Sequence, residues 1–144
     1  MMRRLTHLGG APATIGIGLA LAAWGGDDRR AGIAALLGNA LSHLCVQVLK
    51  RAVARPRPCD ANGAPLAIVE LPDPFSFPSG HSAASFAVAL PIALVHPLIA
   101  PVVLALATLV ACSRVALRVH YATDVLAGAL LGALGFLAAE SLLS

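Results

Sequence analysis

Charge is what this sequence has least of. Asp, Glu, Lys and Arg together make up 12% of its 144 residues, about half the share usual in a soluble domain. So few charges cannot clothe a solvated globular surface, which excludes an ordinary soluble enzyme or a nucleic-acid-binding domain. Aromatic residues are also scarce, at 4%, so the apolar mass is mostly Ala, Leu, Val and Gly. Hydrophobic residues reach 58%, against roughly 45–50% in soluble domains. Small apolar residues in that proportion suit helices packed closely within a membrane. Cysteine is equally sparse. Cys45, Cys59 and Cys112 form no C-x-x-C pair and have no metal-ligand spacing, so neither a disulfide framework nor a cysteine metal centre is expected. Cys45 and Cys112 fall in apolar runs and read as small hydrophobes. No internal repeat or low-complexity tract is present.

What is there in abundance is uncharged sequence. Residues 8–26 contain no Asp, Glu, Lys or Arg and are preceded by Arg3 and Arg4. They predict a first membrane span. A signal peptide with Ala20-Leu21-Ala22 near its cleavage site is the competing expectation. A tight turn over residues 25–30 leads into residues 31–49, a second charge-free run long enough to cross about 30 Å of hydrocarbon. Within it Asn39, His43 and Gln47 share one helical stripe with Lys50, suited either to interhelical hydrogen bonds or to supporting Lys50. Residues 50–77 form the one long hydrophilic connection, broken by Pro56, Pro58, Pro65, Pro72 and Pro74. Residues 74–113 are then charge-free for twice a spanning length. Pro97 and Pro101 divide them into helices expected at 80–95 and 98–117. A last helix is expected at 122–143, about 33 Å long. Its Gly128, Gly132 and Gly135 form a small-residue face for packing within the bundle or against a second copy. The expected fold is therefore all-α: a polytopic membrane bundle of about five transmembrane helices, in one domain over residues 1–144.

Five crossings sort the polar clusters. Residues 50–77 and 113–124 fall on the same side as the amino terminus, and residues 27–30 and 96–97 on the other. Eight of the ten Lys and Arg residues lie on the first side: Arg3, Arg4, Lys50, Arg51, Arg55, Arg57, Arg114 and Arg118. The positive-inside rule would put that side in the cytoplasm, but three of the eight, Lys50, Arg57 and Arg114, have a separate reason to be there, so the orientation stays open. The rule accounts for a count but not for the residue types at the helix ends, which suit phosphate. Ser79 is a good N-cap for a helix whose free N–H groups and dipole attract an anion. Lys50, Arg57 and Arg114 supply cations for phosphoryl oxygens. His120 and Asp124 are four residues apart, so that on a helix the carboxylate orients the imidazole. His81 and His120 then divide the work of nucleophile and proton donor. No cluster of carboxylates is present to hold Mg²⁺.

Three segments carry a specific resemblance. Lys50-(six residues)-Arg57-Pro58, then Pro78-Ser79-Gly80-His81, then Ser113-Arg114-(five residues)-His120-(three residues)-Asp124 resemble, in type, spacing and order, the three-part signature of the type 2 phosphatidic acid phosphatase superfamily. The likeness covers roughly residues 39–140. It implies hydrolysis of a phosphate monoester or diphosphate without metal or cofactor. His120 would form a phosphohistidine, Asp124 would orient it, and His81 would protonate the leaving group. Lys50, Arg57, Ser79, Gly80 and Arg114 would bind the phosphoryl group. Arg51, Arg55 and Arg118 fall outside the signature and read as interfacial anchors to lipid phosphates. Soluble acid phosphatases and vanadium haloperoxidases share the signature, but these apolar helices point to a multi-pass protein of the cell membrane. The implied substrate is a lipid phosphate: a polyprenyl diphosphate, phosphatidate or phosphatidylglycerol phosphate. Membrane members commonly have six helices, so a sixth is missing or a second copy supplies its surface. The alternative is a non-catalytic lipid-phosphate binder or transporter, which would need the cations but not both histidines.

Overall fold

The computed structural model describes residues 6–69 and 73–144; Arg3, Arg4 and Pro72 lie outside the described residues. A single 3-10 turn, Thr6–Gly9, leads into α1 (Ala11–Trp24), α2 (Gly26–Val53), α3 (Gly80–Val95), α4 (Ala100–Ala116) and α5 (Ala122–Leu143). Among the described residues no strand forms. Two isolated backbone bridges, Pro56 to Phe75 and Cys59 to Pro65, tie together the legs of the connection between α2 and α3.

The expected elements are all present, with one boundary corrected. Residues 26–30 are not a turn but the first turn and more of α2, which also runs past residue 49 to Val53. Asp27 and Asp28 sit at the positive end of the helix dipole and Lys50 and Arg51 at the negative end, so both extensions are favoured. The reversal is left to Gly25 and Gly26, which have φ of 108° and 55°. At the other end Ala54 takes a left-handed conformation, φ 47°, and its N–H bonds the Lys50 carbonyl, turning the chain back over the bundle.

Helices α2, α3 and α5 pack mutually as the core, α1 lies on α2, and α4 lies on α3. Glycine permits these approaches. A Cβ on Gly128 would collide with the Ser79 carbonyl, one on Gly132 with the Ala83 carbonyl, and one on Gly135 with the Gly38 carbonyl. The small face of α5 is thus consumed by α3 and α2 inside one chain. Its other face carries Leu126, Leu130, Leu134 and Leu137, all exposed. Glycine inside and leucine outside is the arrangement of a helix whose surroundings are lipid. Helices α2 and α5 are long and apolar enough to cross a membrane; α1, α3 and α4 are shorter apolar helices. Of the stripe on α2, Asn39 donates to Thr14 Oγ1 on α1 at 3.2 Å, an interhelical bond. His43 and Gln47 pair with each other on the exposed side, so Lys50 gets its partner from elsewhere.

Candidate active site

One end of the bundle gathers the 3-10 turn, the carboxyl ends of α2 and α4, and the amino ends of α3 and α5. Ser79 caps α3, its Oγ accepting from the Ser82 N–H, while its own N–H donates to the Asp124 carbonyl at 2.9 Å. That bond locks the start of α3 to the start of α5. At the carboxyl end of α4, Arg114 is 5% exposed and donates to Thr6 Oγ1 at 2.7 Å. Between α4 and α5 the chain turns through Arg118, and His120 is buried there at 4% exposure. His81 lies within electrostatic reach of Arg114, His7, Lys50 and Arg57. The structure therefore brings His81, His120, Asp124, Lys50, Arg57, Ser79, Gly80 and Arg114 to the same end.

Asp124 is not the N-cap of α5. It sits at the third helical position, and its Oδ2 accepts the Tyr121 N–H at 2.8 Å. From there the carboxylate faces the imidazole across 3.6 Å, His120 Nδ1 to Asp124 Oδ2, which is longer than a hydrogen bond. The His120 Nδ1 and the Arg114 Nε are buried without a hydrogen-bond partner among the described residues. Burial pushes the His120 imidazole down to a pKa of about 3, and the charges on Arg57 and Arg114 add to this, outweighing a backbone hydrogen bond with Ser76. His120 is accordingly neutral across the physiological range.

Two residues that matter here escaped the sequence. Arg55, read there as a lipid anchor, donates to Asp124 Oδ1 at 2.9 Å and to Thr123 Oγ1 at 2.7 Å. Its guanidinium also stacks 4.2 Å over the Tyr121 ring. The anchor reading is corrected for Arg55; Arg51 and Arg118 are exposed. Asp73 is the other. Its Oδ2 accepts from Lys50 Nζ at 2.7 Å and its Oδ1 from Arg57 Nη2 at 3.2 Å. Arg57 is fixed further by bonds from Nε to the Asp73 carbonyl and from Nη1 to the Val119 carbonyl. Burial alone would raise the Asp73 pKa. The Lys50 hydrogen bond and the charges on Lys50 and Arg57 outweigh it and hold the carboxyl below its usual range. Only an acid about 20 residues from its partners in sequence, returned by the paired legs of the connection, makes this contact; no local spacing announces it. Among the described residues no three His, Cys, Asp or Glu side chains cluster as a metal site.

A profile of the PAP2 superfamily matches residues 31–142. The chain belongs to the PAP2 superfamily. With the phosphatase relatives that follow, it is a lipid phosphate hydrolase of that superfamily. It is 38% identical over 130 residues to a decaprenylphosphoryl-5-phosphoribose phosphatase of Mycolicibacterium smegmatis, covering 88% of this chain and 68% of that one. The Mycobacterium tuberculosis protein of the same name is also 38% identical, over 105 residues; the match covers 73% of this chain and 57% of that one. Among solved structures, the transmembrane PAP2-type phosphatidylglycerolphosphate phosphatase of Bacillus subtilis superposes with a TM-score of 0.75 and 32% identity, over 98% of this chain and 74% of that one. LpxE of Aquifex aeolicus superposes with a TM-score of 0.80 over 97% of this chain and 83% of that one; at 23% identity it speaks for the PAP2 fold.

Proposed function

We propose that this PAP2 protein is a multi-pass membrane enzyme, one domain over residues 1–144, that removes a terminal phosphate from a lipid phosphate or diphosphate through a phosphohistidine. The observation that carries the reading is a neutral, buried His120 facing the cations Lys50, Arg57 and Arg114 at one end of an apolar bundle. Buried polar atoms without partners are rare in folded proteins. The unpaired Arg114 Nε is the kind of donor that a phosphoryl oxygen satisfies.

The chemistry runs in two displacements. His120 attacks phosphorus, the P–O bond to the lipid breaks, and His81 gives a proton to the departing oxygen. A water, deprotonated by His81, then attacks the phosphohistidine, and inorganic phosphate leaves. Lys50, Arg57, Arg114, the Ser79 hydroxyl and the Gly80 N–H at the start of α3 take the charge on the equatorial oxygens; the Ser79 N–H stays on the Asp124 carbonyl. Asp124 stabilises the positive imidazole that forms on attack. No step draws on a metal or cofactor.

An amphiphile fits the surroundings. An apolar cavity of about 130 Å³ lies between α1, α3 and α4. It reaches Ser85, which donates to the His81 carbonyl, and Val110, one turn before Arg114. A hydrocarbon chain there would lie one helical turn from His81 and from Arg114. The relatives of known substrate act on decaprenylphosphoryl-5-phosphoribose and phosphatidylglycerolphosphate, which supports a lipid carrier without choosing between prenyl and acyl chains. The test is phosphate release by the purified, detergent-solubilised protein from polyprenyl diphosphate, phosphatidate and phosphatidylglycerol phosphate, each with and without excess EDTA. Release from at least one, undiminished by EDTA, is expected. Binding of these lipids with no release would instead identify a carrier.

A further inference from the structure

Two of the three cations assigned to the phosphoryl group are already occupied. Lys50 and Arg57 both hold the Asp73 carboxylate, one oxygen each, at 2.7 and 3.2 Å. The arrangement is the one a phosphoryl group would adopt: two anionic oxygens bridging an ammonium and a guanidinium. Asp73 is the more loosely held partner. Its side chain is 31% exposed, whereas those of Lys50 and Arg57 are 10% and 8% exposed. Arg57 keeps its bond to the Val119 carbonyl whichever anion it faces. Lys50 is fixed by the end of α2, and Arg57 by the Val119 carbonyl and the backbone carbonyl of Asp73, so the Asp73 side chain, held otherwise by the Phe75 N–H, is the part that can leave.

We propose that Asp73 is a resident stand-in for the phosphoryl group. It occupies Lys50 and Arg57 in the empty site and yields them to the substrate, and by returning it weakens the enzyme's hold on product phosphate. The proposal rests on the phosphatase reading above. Charge decides the direction of exchange. A phosphate carries about −1.5 to −2 near neutral pH and offers three oxygens, whereas the carboxylate carries one charge on two oxygens. The apparent affinity for phosphate is reduced by the fraction of molecules in which the cations are free. For a carboxylate seated in nine molecules of ten or more, that is about tenfold or more. Asp73 is on this account a positioning and specificity residue. It sets a threshold that a weak or singly charged anion does not pass.

The experiment uses inorganic phosphate as the probe, with the full-length protein in detergent. Dissociation constants are measured by calorimetry for the wild type, Asp73→Asn and Lys50→Met, and each variant is checked by thermal melt. Asp73→Asn, which keeps the shape but removes the charge, is expected to bind phosphate about tenfold more tightly, and Lys50→Met more weakly than wild type. Equal or weaker binding by Asp73→Asn overturns the proposal and makes Asp73 a support for the cations. If neither wild type nor Asp73→Asn binds phosphate, the phosphatase reading of the cations falls with it. A second measurement needs no variant. The Phe75 N–H donates to Asp73 Oδ1 at 3.0 Å, while the Ser76 N–H bonds the Arg55 carbonyl. Saturating phosphate should speed hydrogen exchange at Phe75 and leave Ser76 unchanged. Exchange at Phe75 that does not respond to bound phosphate overturns the displacement even where Asp73→Asn fails to fold.

Discussion

The two ends of the bundle both carry ion pairs, but they are built differently. At the end remote from His81 and His120, Arg30 pairs with Glu140 at 3.2 Å and His96 is hydrogen-bonded to Asp28 at 2.6 Å. Each pair joins a helix end to its neighbour, and each remains partly open to solvent. Such pairs contribute about 0–1 kcal/mol and tolerate replacement. At the other end Lys50, Arg57, Arg114, His120 and Asp124 are largely or wholly removed from water. There an unpaired charge is costly, so every charged group is tied to a partner or waits for one. Thr6, Val119 and Tyr121 provide such ties through a hydroxyl, a carbonyl and an N–H group. Burial, not the number of charges, separates a chemical site from ordinary ends of helices.

The largest break in that contrast should come from His120→Ala. Loss of the nucleophile is expected to abolish phosphate release while the helical circular dichroism remains. The same variant tests the buried imidazole through acid stability. His120 holds a folded pKa of about 3 against about 6.5 when unfolded, so between those values the unfolded chain binds the extra proton. Stability should therefore fall as pH drops from about 6.5 toward 3, and His120→Ala should flatten that part of the profile. Melting temperatures of both proteins across the range check it.

Asp124→Asn comes next, with a loss of on the order of 10²–10⁴ in rate, by analogy with the acid partner of a serine triad. Asparagine still accepts the Tyr121 N–H, so the start of α5 survives, but the ion pair with Arg55 and the charge facing His120 do not. Combined with His120→Ala it should cost almost nothing more, because residues acting as a unit are grossly non-additive. An additive double variant would mean that Asp124 acts independently of His120.

Arg55→Met sharpens the comparison within the active end. It keeps apolar contact with Tyr121 but strands part of the Asp124 carboxylate. The expected cost is about 1–3 kcal/mol in stability, as for a buried acceptor losing a partner, with a smaller rate loss than Asp124→Asn. Arg51→Met, at an exposed neighbour, should stay within about 0.5 kcal/mol in the same thermal melts. The smallest effect belongs to the remote end: Arg30→Gln should leave phosphate release unchanged and shift stability by no more than about 1 kcal/mol.

The helices, their order and the ends at which the polar clusters fall are legible in the sequence. Long uncharged runs in a chain 58% hydrophobic admit little else, since backbone groups in lipid must be satisfied within a helix. The sequence also placed Lys50, Arg57, Ser79, His81, Arg114, His120 and Asp124 at a helix end or beside one, and the alternating direction of the helices brings those ends together. How these groups are paired follows from the packing of the helices and the path of the connections. Gly25 and Gly26 take the turn that Asp27 to Arg30 had been expected to share, because acids at a helix start are stabilised by its dipole. The glycines of α5 meet α3 and α2 within one chain, a choice between partners that a small-residue face leaves open. Arg55 turns to Asp124 rather than to lipid because Ala54 reverses the chain at the end of α2. Asp73 reaches Lys50 and Arg57 because the legs of a proline-rich connection pair across Pro56 and Phe75. Contacts between residues so far apart follow from the path of the backbone, and no period or spacing along the chain encodes that path.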